Sequence, residues 1–368
     1  HGLVFVDSNN TKTLNTVHQS QSYQKSSSNP SFQVNIEGPP NLEIPAGIWT
    51  MESLQKRYPS IISHLNSSDQ FLVSKPIIIG KGAQLKILNS KVLLETSSGT
   101  AANTPVFIEI RGNGILLNSR ISSWDPVMHM PNPDPYHPRP FIIVSGKMDI
   151  LNSTLTHLGY SRGGVNDTRY ARAAVEYYNT NNFLIANSTI AFNYYGFYSQ
   201  NASNFKIIGN NIYSQTGYGL DPHTSSKGFI VDSNHIHDNG NQGIICSIQC
   251  ENVTITNNLV DHNVEGIGLH WQTNSSIVRD NVIRYNQKYG IFIQKLSFDN
   301  IVQNNTLVDN MNGIGLLEGS NSNTIANNNI TNTLVAEPIH ISSDSKSNII
   351  KGNIFQSTIG PKNISTGN

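Results

Sequence analysis

Residues 218–223, Tyr-Gly-Leu-Asp-Pro-His, hold three side chains that can exchange protons. The phenol of Tyr218, the carboxyl of Asp221 and the imidazole of His223 belong to the groups that serve as general acids and bases in enzymes. The alternative is an exposed turn with no chemical role. Six residues in a chain of 368 decide nothing alone, so their meaning depends on the elements that position them.

The elements around this hexapeptide repeat. Each repeat contains a glycine that opens a short apolar run, and the glycines are spaced by 23, 24, 23, 24 and 23 residues. They are Gly196, Gly219, Gly243, Gly266, Gly290 and Gly313. A fixed period of this length indicates a solenoid.

The segments between the glycines are short, β-branched and apolar, as at residues 205–208 and 253–256, and they show no helical period. Turns rich in Asn, Asp and Gly separate them. The Leu-x-x-Leu-x-Leu signature of leucine-rich repeats is absent. The sequence therefore predicts an all-β fold, a right-handed parallel β-helix with about 23–24 residues per coil.

An asparagine stands nine residues before each glycine, and we expect these side chains to form a hydrogen-bonded ladder at strand spacing, about 4.8 Å. Its members would be Asn187, Asn210, Asn234, Asn257, Asn281 and Asn304, continued upstream by Asn152, Asn118 and Asn89. The wider upstream spacing predicts insertions in the N-terminal coils, and insertions on a solenoid often build a binding face. Asn187 and Asn304 should then be buried and closed to glycosylation.

Three segments are predicted along the chain. Residues 1–40 form a polar segment of low complexity, and residues 76–368 form the β-helix. Residues 41–75 are expected to form an N-terminal cap with a short amphipathic helix over 49–64, whose apolar face would include Leu54 and Ile62. Such a helix would cover the strand edges of the first coil.

Composition narrows the function classes. Only 13% of residues are charged and the formal net charge is zero, which excludes a disordered chain and a nucleic-acid binder. No transmembrane span is recognisable; we expect a secreted or periplasmic protein without its signal peptide. Asn-x-Ser/Thr triplets agree with secretion. Cys246 and Cys250 form either a local disulfide or two buried thiols.

Alternation along each strand after the glycine separates core from surface. The first and third positions should point inward, and the second and fourth outward. The outward positions would form one surface stripe of aromatic, amide, imidazole and carboxyl groups, suited to an extended sugar chain. They include Tyr198, Gln200, Asp221, His223, Ser247, His270 and Gln294. Only the coil of Asp221 and His223 places both a carboxylate and an imidazole on the stripe.

Five motifs then reveal a resemblance, in order and at matching spacing. They are residues 121–125 (Ile-Ser-Ser-Trp-Asp), 139–141 (Arg-Pro-Phe), 157–160 (His-Leu-Gly-Tyr), 194–198 (Tyr-Tyr-Gly-Phe-Tyr) and 218–223. Over residues 45–340 the chain resembles the mannuronan C5-epimerases of alginate biosynthesis, especially the periplasmic bacterial type. The resemblance implies an isomerase that inverts C5 of uronate residues within a polymer, converting poly-mannuronate to guluronate.

The resemblance also implies roles for single residues. His223 would be the base and Tyr218 a proton donor, while Asp221 would orient His223 or share a proton with the substrate carboxylate. Neutralising cations would come from Arg139, Arg162, Arg169, Arg172 and Lys227. Two positions depart from the family pattern: Thr224 stands where an acid usually follows the motif, and Ile248 where the periplasmic type has an arginine.

Two other functions stay open. A polyuronate lyase would begin with the same proton abstraction and then expel the 4-linked sugar. A non-catalytic glycan-binding protein of the cell envelope would bind without proton exchange. No cofactor is expected; calcium would suit a polyuronate-binding protein, although no Asp-rich cage of recognisable spacing is present. We expect a monomer that binds an acidic polysaccharide.

Overall fold

The computed structural model describes residues 41–96, 105–161, 171–333 and 337–356. Within them the chain forms one short helix, α1 (Met51–Arg57), and a long series of short strands. No helix among these residues is long and apolar enough to cross a membrane.

In chain order the strands are β1 (Leu42–Ile44), β2 (Gly47–Thr50), β3 (Ile62–Leu65), β4 (Ser67–Val73), β5 (Ile77–Ile79), β6 (Ala83–Leu88), β7 (Lys91–Glu95), β8 (Phe107–Ile110), β9 (Asn113–Leu117), β10 (Arg120–Trp124), β11 (Phe141–Val144), β12 (Lys147–Leu151), β13 (Thr154–Thr156), β14 (Ala173–Tyr178), β15 (Leu184–Ala186), β16 (Thr189–Ala191), β17 (Tyr195–Gln200), β18 (Lys206–Ile208), β19 (Asn211–Tyr213), β20 (Leu220–His223), β21 (Ile230–Asp232), β22 (His235–His237), β23 (Gln242–Ser247), β24 (Thr254–Thr256), β25 (Leu259–Asp261), β26 (Glu265–His270), β27 (Ile277–Arg279), β28 (Val282–Arg284), β29 (Tyr289–Gln294), β30 (Ile301–Gln303), β31 (Thr306–Val308), β32 (Asn312–Leu316), β33 (Thr324–Ala326), β34 (Asn329–Thr331), β35 (Ile339–Ile341), β36 (Ile349–Lys351) and β37 (Ile354–Gln356).

These strands form three sheets, to which each coil contributes one strand apiece. Sheet A contains β1, then β5 and every third strand to β35. Sheet B contains β2, then β6 and every third strand to β36, and sheet C contains β3, β4, then β7 and every third strand to β37. All the strand pairs are parallel except the antiparallel pair β3–β4 at the N-terminal edge of sheet C. This arrangement is the predicted parallel β-helix.

Helix α1 is shorter than the predicted 49–64. Thr50 caps its N-terminus, because its Oγ1 accepts a hydrogen bond from the Ser53 amide at 3.2 Å and the Ser53 hydroxyl accepts one from the Thr50 amide. The helix ends at Arg57 because Pro59 disfavours a helical conformation at Tyr58. The prediction that Ile62 lies on the helix is wrong.

Parallel pairing already begins at Leu42, which pairs with Ile77 of the next coil. Strands β2 and β4 likewise pair with β6 and β7. The first coil therefore occupies part of the segment 41–75 to which we assigned only a cap.

The interior consists of stacked rows of apolar side chains, one row for each inward position. The predicted inward residues of sheet A, such as Phe197, Leu220 and Ile244, are fully buried. The glycine before each run is required by packing: a Cβ on Gly219 would lie 2.5 Å from the Gly243 carbonyl oxygen. The predicted alternation of inward and outward positions is confirmed.

The asparagine ladder exists, but in six coils it lies one residue later than predicted. In each step the backbone amide of one member donates to the side-chain oxygen of the next, at 2.9–3.0 Å. The buried members from β15 onwards are Ser188, Asn210, Asn234, Asn258, Asn281, Asn305 and Asn328. Upstream, Ser153, Ser119 and Ser90 hold the places that we assigned to the preceding asparagines.

The asparagines at the mistaken positions have a different task. Asn187, Asn257 and Asn304 are exposed and adopt the left-handed conformation, with φ of 51°, 55° and 56°. Asparagine tolerates this conformation better than most residues, which suits the sharp turn before the ladder. The prediction that Asn187 and Asn304 are buried is therefore wrong, and both amides are open to solvent.

Two further ladders stabilise the other corners of the coils. Between sheets C and A the ladder comprises Asn193, Gln215, Asn239, Asn263, Asn286 and Asn310. Between sheets A and B it comprises Ser276, Asn300, Asn323 and Asn348. Each corner thus satisfies buried backbone amides that no strand reaches.

Replacing Asn258 with alanine should destabilise the protein by about 2–4 kcal/mol, because it leaves several buried partners unsatisfied. The side chain accepts from Asn234 and donates to the Val231 carbonyl and to Asn281. The neighbouring change Asn257→Gly, at an exposed left-handed position, should cost less than about 0.5 kcal/mol. Denaturant unfolding of both variants tests this expectation. Equal losses would contradict the assigned register.

Candidate active site

Sheet A aligns the predicted site residues on one outward-facing surface, here called the stripe. Tyr198 lies beside Asp221 on the neighbouring strand. A second row runs Gln200, His223, Ser247, His270 and Gln294, each directly paired with the next through β17, β20, β23, β26 and β29. Successive members of a row are therefore about 4.8 Å apart. Seven of the predicted site residues thus share one surface.

His223 ends β20 and is partly buried. Its Nδ1 lies 2.6 Å from the Thr224 hydroxyl, and its ring lies 5.3 Å from that of Tyr198. Burial lowers the pKa of His223 to about 4, and the nearby His270 contributes. The imidazole is therefore neutral at pH 7. Its Nδ1 is engaged by Thr224, so Nε2 is the nitrogen that is not engaged in this contact.

Asp221 is 4% exposed although it lies on the outward-facing side of β20. Burial raises its pKa to about 8, and a hydrogen bond from Ser247 partly offsets that increase. Its Oδ1 is buried and has no hydrogen-bond partner among the described residues. Asp221 is thus largely protonated at pH 7 and holds a polar atom that a ligand can satisfy.

Tyr218 lies just before β20 and stacks on Tyr195, with ring centroids 4.7 Å apart. Gly217 makes room for this pair, since a Cβ there would lie 2.2 Å from the Tyr195 ring. Burial raises the pKa of Tyr218 to about 12, with a contribution from Asp221. The phenol accordingly keeps its proton at neutral pH.

Sequence reasoning missed Glu176, which lies beside Tyr198 on the preceding strand. This buried carboxylate accepts hydrogen bonds from the Arg172 guanidinium at 2.8 Å and from the Tyr178 hydroxyl at 3.0 Å. The Arg172 guanidinium also packs over the ring of Phe141. Arg172 is therefore next to the stripe, held by Glu176. Strand β14 lacks the glycine of the repeat, so the period gave no signal for it.

Arg139 does not lie on the stripe. Its side chain is 1% exposed, and its guanidinium donates to the carbonyls of Gly159, Leu158 and Phe192 at 2.7–3.2 Å. Burial lowers its pKa to about 10. Arg139 holds the segments around β13 and β16 together and is not accessible to a substrate on the stripe.

The remaining predicted cations are dispersed. Arg162 and Arg169 lie outside the described residues. Lys227 lies at the corner between sheets A and B, in a separate surface groove of about 590 Å³ that Glu251 and Gln272 also line. The structure therefore does not bring Lys227 together with His223 on the stripe.

The far half of the stripe carries amides and an imidazole. Burial lowers the pKa of His270 to about 4, with help from Lys295, and its Nδ1 is buried without a hydrogen-bond partner among the described residues. Gln294 donates to the Glu318 carboxylate at 2.7 Å. Ser247 is 6% exposed. These groups present hydrogen-bonding atoms with little charge.

The cysteines lie beneath the site strand. Cys246 and Cys250 are both buried free thiols, so the two-thiol interpretation holds. The Cys250 thiol donates to the Pro222 carbonyl at 3.4 Å. In the part of the chain that the structure describes, no group of three or more His, Cys, Asp or Glu is placed to hold a metal ion.

Comparison with known proteins gives both a family model and relatives. A model described as a right handed beta helix region matches residues 173–330. The mannuronan C5-epimerase of Pseudomonas aeruginosa is 26% identical over 219 residues, which cover 57% of this chain and 40% of that protein. That of Pseudomonas syringae pv. tomato is 24% identical over 226 residues, 58% of this chain and 41% of that protein. The chain spans less than half the length of these relatives.

Solved structures share the fold. The periplasmic alginate epimerase AlgG superposes with a TM-score of 0.72 at 19% identity, covering 86% of this chain and 85% of that chain. The Dettilon tailspike protein superposes with a TM-score of 0.52 at 14% identity, over 77% of this chain and 60% of that chain. The chain is therefore a right-handed parallel β-helix protein, as predicted. Within that class its sequence relatives are named mannuronan C5-epimerase, in agreement with the resemblance recognised in the sequence.

The protonated state of Asp221 has a measurable consequence. Its raised pKa means that the folded protein keeps a proton that the unfolded chain releases, so Asp221 reduces stability as pH rises from about 4 to about 8. Asp221→Asn removes this titration. The melting temperature of the variant relative to the unmodified protein should therefore increase between pH 5 and pH 8. Asp299→Asn, at an exposed position, serves as the control for loss of a carboxyl group. A constant difference for Asp221→Asn would contradict the assigned protonation.

Proposed function

We propose that the protein is a polyuronate C5-epimerase acting on poly-mannuronate or a closely related acidic polysaccharide. One observation carries the proposal: a neutral imidazole, a protonated carboxyl and a protonated phenol lie together on and just before β20. Epimerisation needs a base that is free of its proton and an acid that still holds one. The sequence relatives named mannuronan C5-epimerase support the substrate class.

In the proposed reaction, Nε2 of His223 removes the proton at C5 of the uronate. The C5–H bond breaks as the N–H bond forms, and the electron pair moves into the adjacent carboxylate to give an enolate-like dianion. The Tyr218 hydroxyl delivers a proton to C5 from the opposite face, which inverts the centre. His223 then releases its proton to water, and Tyr218 regains a proton from water, which restores both side chains for the next turnover.

Asp221 supplies part of the carboxylate stabilisation. Because it is protonated, it can donate a hydrogen bond to the substrate carboxylate as charge accumulates there. This donor is important since Ile248 stands where the periplasmic type has an arginine. Arg172 adds a positive charge near the stripe, although this charge is partly neutralised by its ion pair with Glu176.

The remaining proposals concern the location of the protein, its oligomeric state and its need for a cofactor. The protein would act outside the cytoplasm, in agreement with a structural relative described as periplasmic and with its Asn-x-Ser/Thr triplets. It would work as a monomer and without a cofactor. Every proton transfer in the proposed reaction uses a side chain of this chain, so neither a second subunit nor a cofactor is needed for it. Calcium would act only through the polymer.

Poly-mannuronate incubated with the protein in deuterated water should acquire deuterium at C5 together with new guluronate signals in proton NMR. His223→Gln should slow this exchange at least about 100-fold, because the base is lost. The control His235→Gln changes a histidine of sheet C and should leave the rate unchanged. Unsaturated sugar ends would instead identify a lyase. Binding without exchange would identify a glycan-binding protein, and both results would contradict the proposal.

The pH profile should depend on Thr224. A general base works only when neutral, so activity falls as pH drops through the pKa of His223, which lies at about 4. Thr224→Asp places an anion beside Nδ1 and should raise that pKa, moving the acid limb of the profile upward by about 1–2 pH units. Thr224→Val removes the hydroxyl without adding charge and should lower the rate with little shift of the limb. An unchanged limb in Thr224→Asp would exclude His223 as the titrating base.

A further inference from the structure

Beyond the stripe, the corner that follows sheet A carries an aromatic side chain and a cation in adjacent coils. Trp271 directly follows β26, and Lys295 directly follows β29. Both adopt the left-handed conformation, with φ of 54° and 55°. The Lys295 ammonium lies 5.0 Å from the centroid of the Trp271 ring, a cation–π contact. The contact restricts a side chain that would otherwise move freely, so its charge is held in place.

This corner continues the row that contains His223. The Trp271 ring lies edge-on to His270, with centroids 6.2 Å apart. Lys295 follows Gln294, the next member of the row, and its charge contributes to the lowered pKa of His270. The ammonium, the partly buried imidazole of His270 and the Gln294 amide therefore border one stretch of surface.

The spacing along the row suits a sugar chain. His270 lies two coils from His223 and Lys295 three, which corresponds to about 10 Å and 14 Å. A 1,4-linked pyranose ring is about as long as the spacing between coils. A polymer lying along the row thus brings a sugar two or three units away beside Lys295.

The charges around Lys295 favour an anion. In the described part of the chain Lys295 forms no ion pair. Glu318, at the corner of the next coil, accepts a hydrogen bond from Gln294 and forms no ion pair with Lys295. Between the coil of His223 and the coil of Lys295 the row holds Ser247 and His270, and His270 is neutral at pH 7. Lys295 is then the first positive charge that a polymer extending from His223 towards β29 would reach along this row.

We propose that Lys295, held over Trp271, binds the carboxylate of a uronate two to three sugars away from the one at His223. The subsite rests on the proposed function for the direction of the polymer, but its ligand chemistry is that of any acidic 1,4-linked sugar. It selects for charge and chain length at a distance from the reacting sugar.

Calorimetric titration with oligomannuronates of two to six sugars tests the subsite. Lys295→Gln should weaken binding of the longest oligomers about tenfold, the value of one charge-assisted hydrogen bond, and leave the shortest unaffected. Lys295→Arg should retain most of the affinity. The matched control Lys206→Gln removes an exposed lysine of sheet B and should change nothing. In turnover, Lys295→Gln should raise KM for the polymer and leave kcat unchanged.

Equal affinities of Lys295→Gln and Lys206→Gln at every length would overturn the subsite, as would the absence of any binding to the unmodified protein. The outcomes separate from those of the proposed function. Length-dependent loss of binding without epimerisation would uphold the subsite and reject the epimerase. Epimerisation with an unchanged KM in Lys295→Gln would uphold the epimerase and reject the subsite.

Discussion

The parallel pairing of each coil with the next, in fixed register, is the constraint on which the structure depends. Strands of only three to seven residues cannot hold a register by themselves, and the corner ladders supply the hydrogen bonds that fix it. Each ladder residue satisfies a buried backbone amide of the preceding coil at about 3 Å. A slip by one residue would break these bonds and turn apolar side chains outward. The register therefore aligns the outward side chains in rows.

The sequence predicts the fold and the direction of each side chain in sheet A because glycine spacing and alternation are local signals. It fails at the ladder, where two polar residues stand side by side. Asn257 and Asn258 are chemically identical, yet one turns the chain and the other is buried. Coil length varies by a residue between the ladder and the glycine, so a fixed offset of nine selects the wrong member. The corner conformation, which the sequence does not encode in residue type, decides between them.

The site shows a similar division. The types and spacing of Tyr218, Asp221 and His223 are visible in the sequence, but their protonation states arise from neighbours in other coils. Asp221 holds its proton because it is buried, and Tyr218 holds its own because burial and the nearby Asp221 raise its pKa. Arg139 is likewise buried, and its residue type alone did not predict that it would be inaccessible to a substrate. Sequence motifs thus identify the reactive side chains, while burial in the folded protein determines whether each one is charged.

The resulting distribution of charge explains how an acidic polymer could be bound and still react. Tyr218, Asp221 and His223 are uncharged at pH 7, so in the proposed reaction the uronate carboxylate meets hydrogen-bond donors without a fixed ion pair. These donors stabilise the enolate-like dianion more than the substrate because the charge on the carboxylate grows along the reaction, and only such differential stabilisation lowers the barrier. The cations stand at a distance, Arg172 beside Glu176 upstream and Lys295 three coils downstream. Binding energy from remote carboxylates can then hold the chain in register while the central carboxylate gains its strongest interactions only as it becomes enolate-like.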